Sequence, residues 1–407
     1  MHLTGPEPVS EAGRNLRDLS HYTTISTISA GFIATLSSIA GPSLLVYQAA
    51  ANAEYPAAAI NSWFLAIFVG GGLLSVLLAI LYREPICGAY SIAGSALLVP
   101  VLGQYTLPEA VGAFLASGLL VTFAGVSGLF GWIMDRIPNE IIMGMLAGIL
   151  LRFGIGIFTP LPEEPFLVGA MILVYIISSR FVYGFAPVML ALLVGVIIAG
   201  LGDQFRLDSV HLSLSQPVLV HPEFRLDALF SVSLPLTLLA IASQNAPGVG
   251  ILRANGYRAP VNAIMIFSGL GSILTAPFLG HGVNIAAPMT AICASPQAHS
   301  NPRGRYAASA IQGACFIAFG LVGATAISLI QAFPAALVAV VAGLALLPVI
   351  LQALQLSVAQ SEHALGAAFA LLIGASGISI LGINSAFWAM VAGVVVGRLL
   401  QQRPVAR

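Results

Sequence analysis

The chain has 407 residues, 58% hydrophobic and only 7% charged, with a mean hydropathy of +0.97 and a formal net charge of +0. A soluble domain carries about 25% charged residues, so this composition excludes an ordinary cytosolic enzyme, a disordered chain and a nucleic-acid binder, which would need a basic face. Cys87, Cys293 and Cys315 form no CxxC and no paired framework, which suggests neither disulfides nor a thiolate metal site.

Uncharged runs such as 259–302 and 306–361 each hold one or two spans of the roughly 20 apolar residues that cross a bilayer. No water is available there to satisfy backbone groups, so the spans are helices. Pro and Gly punctuation places fourteen elements: near 24–50, 56–81, 85–103, 107–133, 137–158, 165–180 and 183–202, then 227–250, 260–279, 282–294, 304–331, 333–354, 364–381 and 383–400. The first 24 residues are polar, with no h-region or cleavage site, and no removable signal peptide is expected. The polar segment 203–226 divides the chain. In it Val210, Leu212 and Leu214 alternate with polar neighbours, which permits a short strand, but an ordered surface loop between the two halves is the preferred reading.

With the N-terminus inside, Arg14, Arg17, Arg83, Arg136, Arg180, Arg253, Arg258, Arg303, Arg305, Arg398, Arg403 and Arg407 all fall on the cytoplasmic side. This bias predicts cytoplasmic N- and C-termini, because one missed span would invert every later loop. The halves also repeat: PICGAYSIA at 85–93 is echoed by PFLGHGVNIA at 277–286, IPNEIIMGMLAGILL at 137–151 by FPAALVAVVAGLALL at 333–347, and the Ala40-Gly41-Pro42 break by Ala246-Pro247-Gly248. Seven spans per half is odd, so the second half must be inverted. The expected fold is an all-α integral membrane protein with a 7+7 inverted repeat, the plan of secondary transporters.

The third and tenth elements are short, with Pro and Gly near their starts. Paired broken segments at matching repeat positions point to a midplane binding site. Each is expected to run extended and then start a half-helix near Ser91 or Asn284, both good N-caps. Two facing helix N-termini favour an anion. Around them, Tyr90 and Gly282 flank the half-helices, and Gln244 and Asn245 lie beside the Pro247 break, where uncharged amides in an apolar helix need partners. Of the seven histidines, only His281 lies at membrane depth, which makes it the candidate proton carrier. Arg152 lies within the fifth element, placed to snorkel or to pair with Glu163 or Glu164, and Gly144 with Gly148 makes a GxxxG packing signal. No HExxH, P-loop or dinucleotide fingerprint is present, and no cofactor is expected.

The whole chain, above all GHGVNIAAPMTAICASPQAHSNPRGRY at 280–306, resembles the benzoate:proton symporter family (BenE type). That resemblance implies import of a small aromatic carboxylate with protons across a bacterial inner membrane. It also implies the inverted-repeat fold of the uracil and related nucleobase transporters, with a homodimer formed through the gate. The core would be 24–133 and 227–331, the gate 137–202 and 333–400. Those nucleobase carriers place Glu residues where this chain has Ser243-Gln244-Asn245 and His281-Gly282-Val283-Asn284. The absence of carboxylates fits an anionic substrate and removes the usual proton carriers. The alternatives are a passive anion channel or uniporter, a carrier of another small organic anion or nucleobase, and an intramembrane enzyme using Ser95 or Ser127 with His281.

Overall fold

The computed structural model describes residues 5–9, 11–39, 42–128, 138–181, 186–205, 213–359, 362–381 and 383–399. Ala40 and Gly41 of the expected first break, Val210 and Leu212 of the permitted strand, and Arg136, Arg206, Arg403 and Arg407 lie outside the described residues.

A short polar helix, α1 (Ala12–Tyr22), precedes the expected spans. Asn15 anchors it: its amide donates to Ile80 O at 2.9 Å, and Tyr306 donates to its carbonyl at 2.6 Å. The first half then holds α2 (Ile25–Ile39), α3 (Pro42–Asn52), α4 (Ala57–Tyr82), strand β1 (Gly88–Tyr90), α5 (Ile92–Leu98) and α6 (Leu107–Val126). It closes with α7 (Asn139–Gly156), α8 (Pro165–Ser178) and α9 (Ala186–Leu201). Pro56, Pro138 and Pro165 sit just before or inside helix starts, where the missing N–H costs nothing. A capping box of Thr106 and Glu109 starts α6.

The second half holds α10 (Leu226–Ala254), α11 (Val261–Thr275), strand β2 (Val283–Ile285) and α12 (Ala287–Ala294). After these come α13 (Tyr306–Leu321), α14 (Gly323–Ala332), α15 (Ala335–Ser357), α16 (Ala364–Ser376), a hairpin of β3 (Ser379–Ile380) and β4 (Ile383–Asn384), and α17 (Ser385–Leu399). Among the described residues six helices are long and apolar enough to cross a membrane, or seven if α13 and α14 count as one bent span. The remaining expected spans are shorter apolar helices or broken segments, so helix length alone does not reach the fourteen read from the sequence.

One expectation is corrected. The single helix expected over 304–331 is two helices bent by 65°. The cause lies in the central loop: Ser215 N donates to Leu321 O at 2.8 Å, and Ser215 Oγ accepts from Ala324 N at 2.9 Å, replacing ladder bonds at the break. Loop residues 213–225 form no strand. They run as a strap, with Val218 N on Ser62 Oγ (2.9 Å), Val220 N on Pro277 O (2.8 Å) and Glu223 N on Pro108 O (2.9 Å).

The helices pack in two groups. In one, α4 lies on α13, α6 on α11, and α2 on α12 and α13. In the other, α7 is held between α15 and α16, α16 packs on α17, and α8 on α9. The GxxxG of α7 faces α16: a side chain at Gly144 or Gly148 would collide with the carbonyls of Ala367 and Leu371. Arg152 finds neither Glu163 nor Glu164. Its Nη2 donates to Ala375 O (3.4 Å) at the carbonyl end of α16, where a cation is favoured.

Candidate substrate site at the crossed half-helices

β1 and β2 cross inside the first group and pair antiparallel, Gly88 with Ile285, Ala89 with Asn284 and Tyr90 with Val283. Each strand feeds a short helix. Ser91 caps α5 as expected, its Oγ accepting from Gly94 N at 3.0 Å. Asn284 does not cap α12. The cap is Ala286, with Pro288 in the first turn. A helix starting after Asn284 would put Pro288 where its missing N–H breaks the ladder, so the start moves to Ala287.

Asn284 is thereby left in mid-strand. It is 0% exposed, and neither its Oδ1 nor its Nδ2 has a hydrogen-bond partner. Buried amides are rarely left unpaired. Its neighbour Asn245 is fully used: Oδ1 accepts from Ile285 N at 3.0 Å, extending the ladder sideways to α10, while Nδ2 reaches Met265 Sδ at 3.3 Å. Tyr90 donates its hydroxyl to Ser38 O at 2.9 Å and stacks edge-on with Phe68, so its phenol is already occupied. Gly282 O accepts from Ser91 N at 3.3 Å, tying the second half-helix approach to the first cap.

His281 is 1% exposed and ringed by Trp63, Tyr90 and Phe114. Trp63 Nε1 donates to its Nδ1 at 2.9 Å, and its Nε2 lies 3.0 Å from both Ser91 O and Ser95 Oγ. Indole is a donor only, so Nδ1 carries no proton, and Nε2 carries it toward the Ser91 carbonyl. A second proton on Nδ1 would oppose the Trp63 N–H. This geometry does not favour a proton-carrier role for His281. It also removes the Ser95–His281 enzyme alternative, because an Nε2 that donates cannot act as base for Ser95. Ser127 lies elsewhere, bonded to Phe123 O at 2.5 Å.

Gln244, 8% exposed, reaches a cavity. Pro247 offers no N–H to the carbonyl of Ser243, and α10 widens into a π segment over Leu239–Asn245. There Ala93, Ser243, Gln244 and Pro247 face Met143 and Leu146 of α7 and Val349 and Gln352 of α15 across a cavity of about 30 Å³. That volume admits about two waters. Sequence reasoning missed the α7 and α15 side. Gln352, an amide in a long uncharged run, was the available signal.

Two larger cavities lie along the same boundary, toward the start of α15. One of about 180 Å³ is apolar and includes Phe64, Phe319, Phe333 and Val341. The next, of about 580 Å³, adds Tyr47, Gln48, Glu164 and Gln204. The cavities thus lie at both ends of α15, divided by packed residues.

The architecture is that of multi-pass membrane transporters. The chain covers 95% of its length and 98% of the transmembrane domain of a cyanobacterial bicarbonate transporter, BicA, at a TM-score of 0.58 and 16% identity. It likewise superposes on the inward-facing murine Slc26a9 anion transporter with a TM-score of 0.61 and 13% identity, over 95% of this chain and 70% of that one. Residues 21–399 match the family profile described as BenE, benzoate membrane transport protein, and the chain belongs to that family. It is 37% identical over 370 residues to the inner membrane protein YdcO of Escherichia coli, covering 91% of this chain and 94% of that protein. To the benzoate membrane transport protein of Acinetobacter baylyi it is 30% identical over 385 residues, covering 93% and 96%.

Proposed function

We propose that the protein is a secondary active transporter that imports benzoate or a related aromatic carboxylate with protons, by alternating access, across a bacterial inner membrane. The observation that carries this reading is the Gln244 cavity, set between the two packing groups beside the α5 cap. Its residues include no acid and no histidine, so an anion meets no like charge there. The BenE relatives supply the substrate class, and the YdcO relative the inner membrane.

In this reading the first packing group is the core, 24–133 with 227–331, and the second is the gate, 137–202 with 333–400. The ladder centred on Ala89 and Asn284 has the local two-fold of an antiparallel pair, which supports a seven-plus-seven inverted plan of the nucleobase-transporter kind. Gln244 and the free N–H groups at the start of α5 receive the carboxylate. Asn284 contributes an amide that has no protein partner to give up. With Nδ1 of His281 accepting from Trp63, the proton that accompanies the carboxylate is carried by a group other than His281. The arginine distribution supports cytoplasmic termini, an orientation in which the Phe333 end of α15 faces outside.

Equilibrium binding of labelled benzoate to purified Gln244→Ala and parent protein tests the site. A hydrogen bond to a charged group contributes roughly 1.5–3 kcal/mol, so the variant should bind about ten- to a hundredfold more weakly. Equal affinity at equal thermal stability places the carboxylate elsewhere.

A further inference from the structure

The apolar cavity near Phe333 is walled on the core side by α2, α3, α4, α13 and α14 and on the gate side by α9 and α15. Three aromatic rings, Phe64, Phe319 and Phe333, contribute to it. Ser43 is the polar side chain at its wall, and its hydroxyl already donates to Ile39 O. Among the described residues no side chain of the chamber therefore offers a free hydrogen-bond donor, while its rings offer edges and faces to another ring.

The chamber adjoins a wider cavity. Ile330, Phe333 and Val338 belong both to it and to the wider cavity that carries Tyr47, Gln48 and Gln204. The two together have an apolar interior and a polar mouth. The acid at that mouth, Glu164, is held by Gln204, whose Nε2 donates to both carboxylate oxygens at 3.3 Å. A solute with a flat apolar ring matches the chamber, and Tyr47, Gln48 and Gln204 offer neutral polar groups to its other end. The sizes decide where a ring can rest: about 30 Å³ beside Gln244 is too small, and about 180 Å³ in the chamber is not. Val341 in the chamber and Val349 at the Gln244 cavity are about 12 Å apart along α15, with Ala342, Leu344 and Leu346 buried between them.

We propose that this chamber is an outer subsite for the aromatic ring of the substrate, filled before the core moves against the gate to admit it to Gln244. The proposal rests on the aromatic-carboxylate reading above and adds a second, ring-selective checkpoint to it. Selection for a planar ring over an aliphatic acid is made here, and the carboxylate is read at Gln244.

The test is uptake of labelled benzoate by proteoliposomes containing parent protein, Ala326→Phe or Leu337→Ala. Ala326→Phe fills the chamber and should raise KM about tenfold while kcat stays within about threefold. Leu337→Ala enlarges it and should raise kcat/KM for 4-tert-butylbenzoate relative to benzoate by about tenfold. It serves as the test if the filled variant does not fold. A KM within twofold of the parent for Ala326→Phe, or unchanged selectivity in Leu337→Ala, overturns the subsite while leaving transport standing. A lipid retained by the parent in native mass spectrometry and lost from Ala326→Phe assigns the chamber to an acyl chain and also overturns it. No benzoate uptake by the parent overturns the functional reading, and this inference with it.

Discussion

Trp63 can only donate, and that single fact fixes the state of His281. From sequence, His281 is an isolated titratable group at membrane depth, and the natural expectation is a proton carrier. Its partners come from positions 63 and 91, far away in the chain, so the constraint was not legible. His281→Gln can rebuild both bonds, accepting from Trp63 and donating to Ser91 O, and should retain proton-driven uptake. His281→Leu cannot, and should lower thermal stability by about 1–3 kcal/mol, the cost of orphaned buried polar groups. Loss of gradient-driven uptake in His281→Gln with exchange preserved would restore the carrier role. Asn284 presents the opposite case. Asn284→Ala removes an amide without any hydrogen bond to lose, so stability should hold or rise while uptake falls, as expected of a polar group kept for function. Lower stability with normal uptake would make it structural. Outside the spans, burial raises the Glu84 carboxyl from 4.5 to about 7, partly offset by the Arg258 N–H that donates to it. The folded state then holds that proton more tightly than the unfolded chain. Its stabilising contribution is full below about pH 4.5 and is lost as pH rises through about 7. The parent's melting temperature should fall between pH 5 and 8 relative to that of Glu84→Gln. Parallel curves would contradict the shift.

The half-helices are the elements the sequence showed best. Pro85, Gly88, Pro277 and Gly280 punctuate both approaches at matching positions, and both elements run extended and then helical. The repeat comparison nevertheless matched Ser91 with Asn284, whereas the structure matches the caps Ser91 and Ala286. The two-residue slip keeps the same strand face, because side chains alternate with period two, and periodicity could not expose it. The bend between α13 and α14 was illegible for another reason: Ser215, a hundred residues earlier, makes it. GxxxG on α7, by contrast, was a local signal for a local cause. Gly148→Val should destabilise the α7–α16 contact by about 1–3 kcal/mol, the range for overpacking, read as a lower melting temperature and poorer recovery from the membrane. An unchanged melting temperature would mean that the two helices part without cost. Gly377 is similarly constrained: it ends α16 with φ +65°, and a Cβ there would strike the Arg152 guanidinium.

At the scale of the molecule, composition and arginine bias were enough to read a multi-pass helical membrane protein, and the 280–306 segment enough to read its family. The division into core and gate came with the family resemblance, but the cavities between them were not readable, because they are built from α2, α3, α4, α5, α10, α13 and α14 on one side and α7, α9 and α15 on the other, with no motif linking them. That boundary carries the central claim, in which the core and gate expose one carboxylate site to each side in turn and a proton travels with the substrate. The direct measurement is accumulation of labelled benzoate in proteoliposomes containing the parent protein, with an imposed gradient, acid outside. The expected result is transient accumulation above the external concentration that a protonophore abolishes and that Gln244→Ala lacks. Flux that only equilibrates benzoate, with the same rate whether or not the gradient is present, would contradict it and leave a passive anion pore.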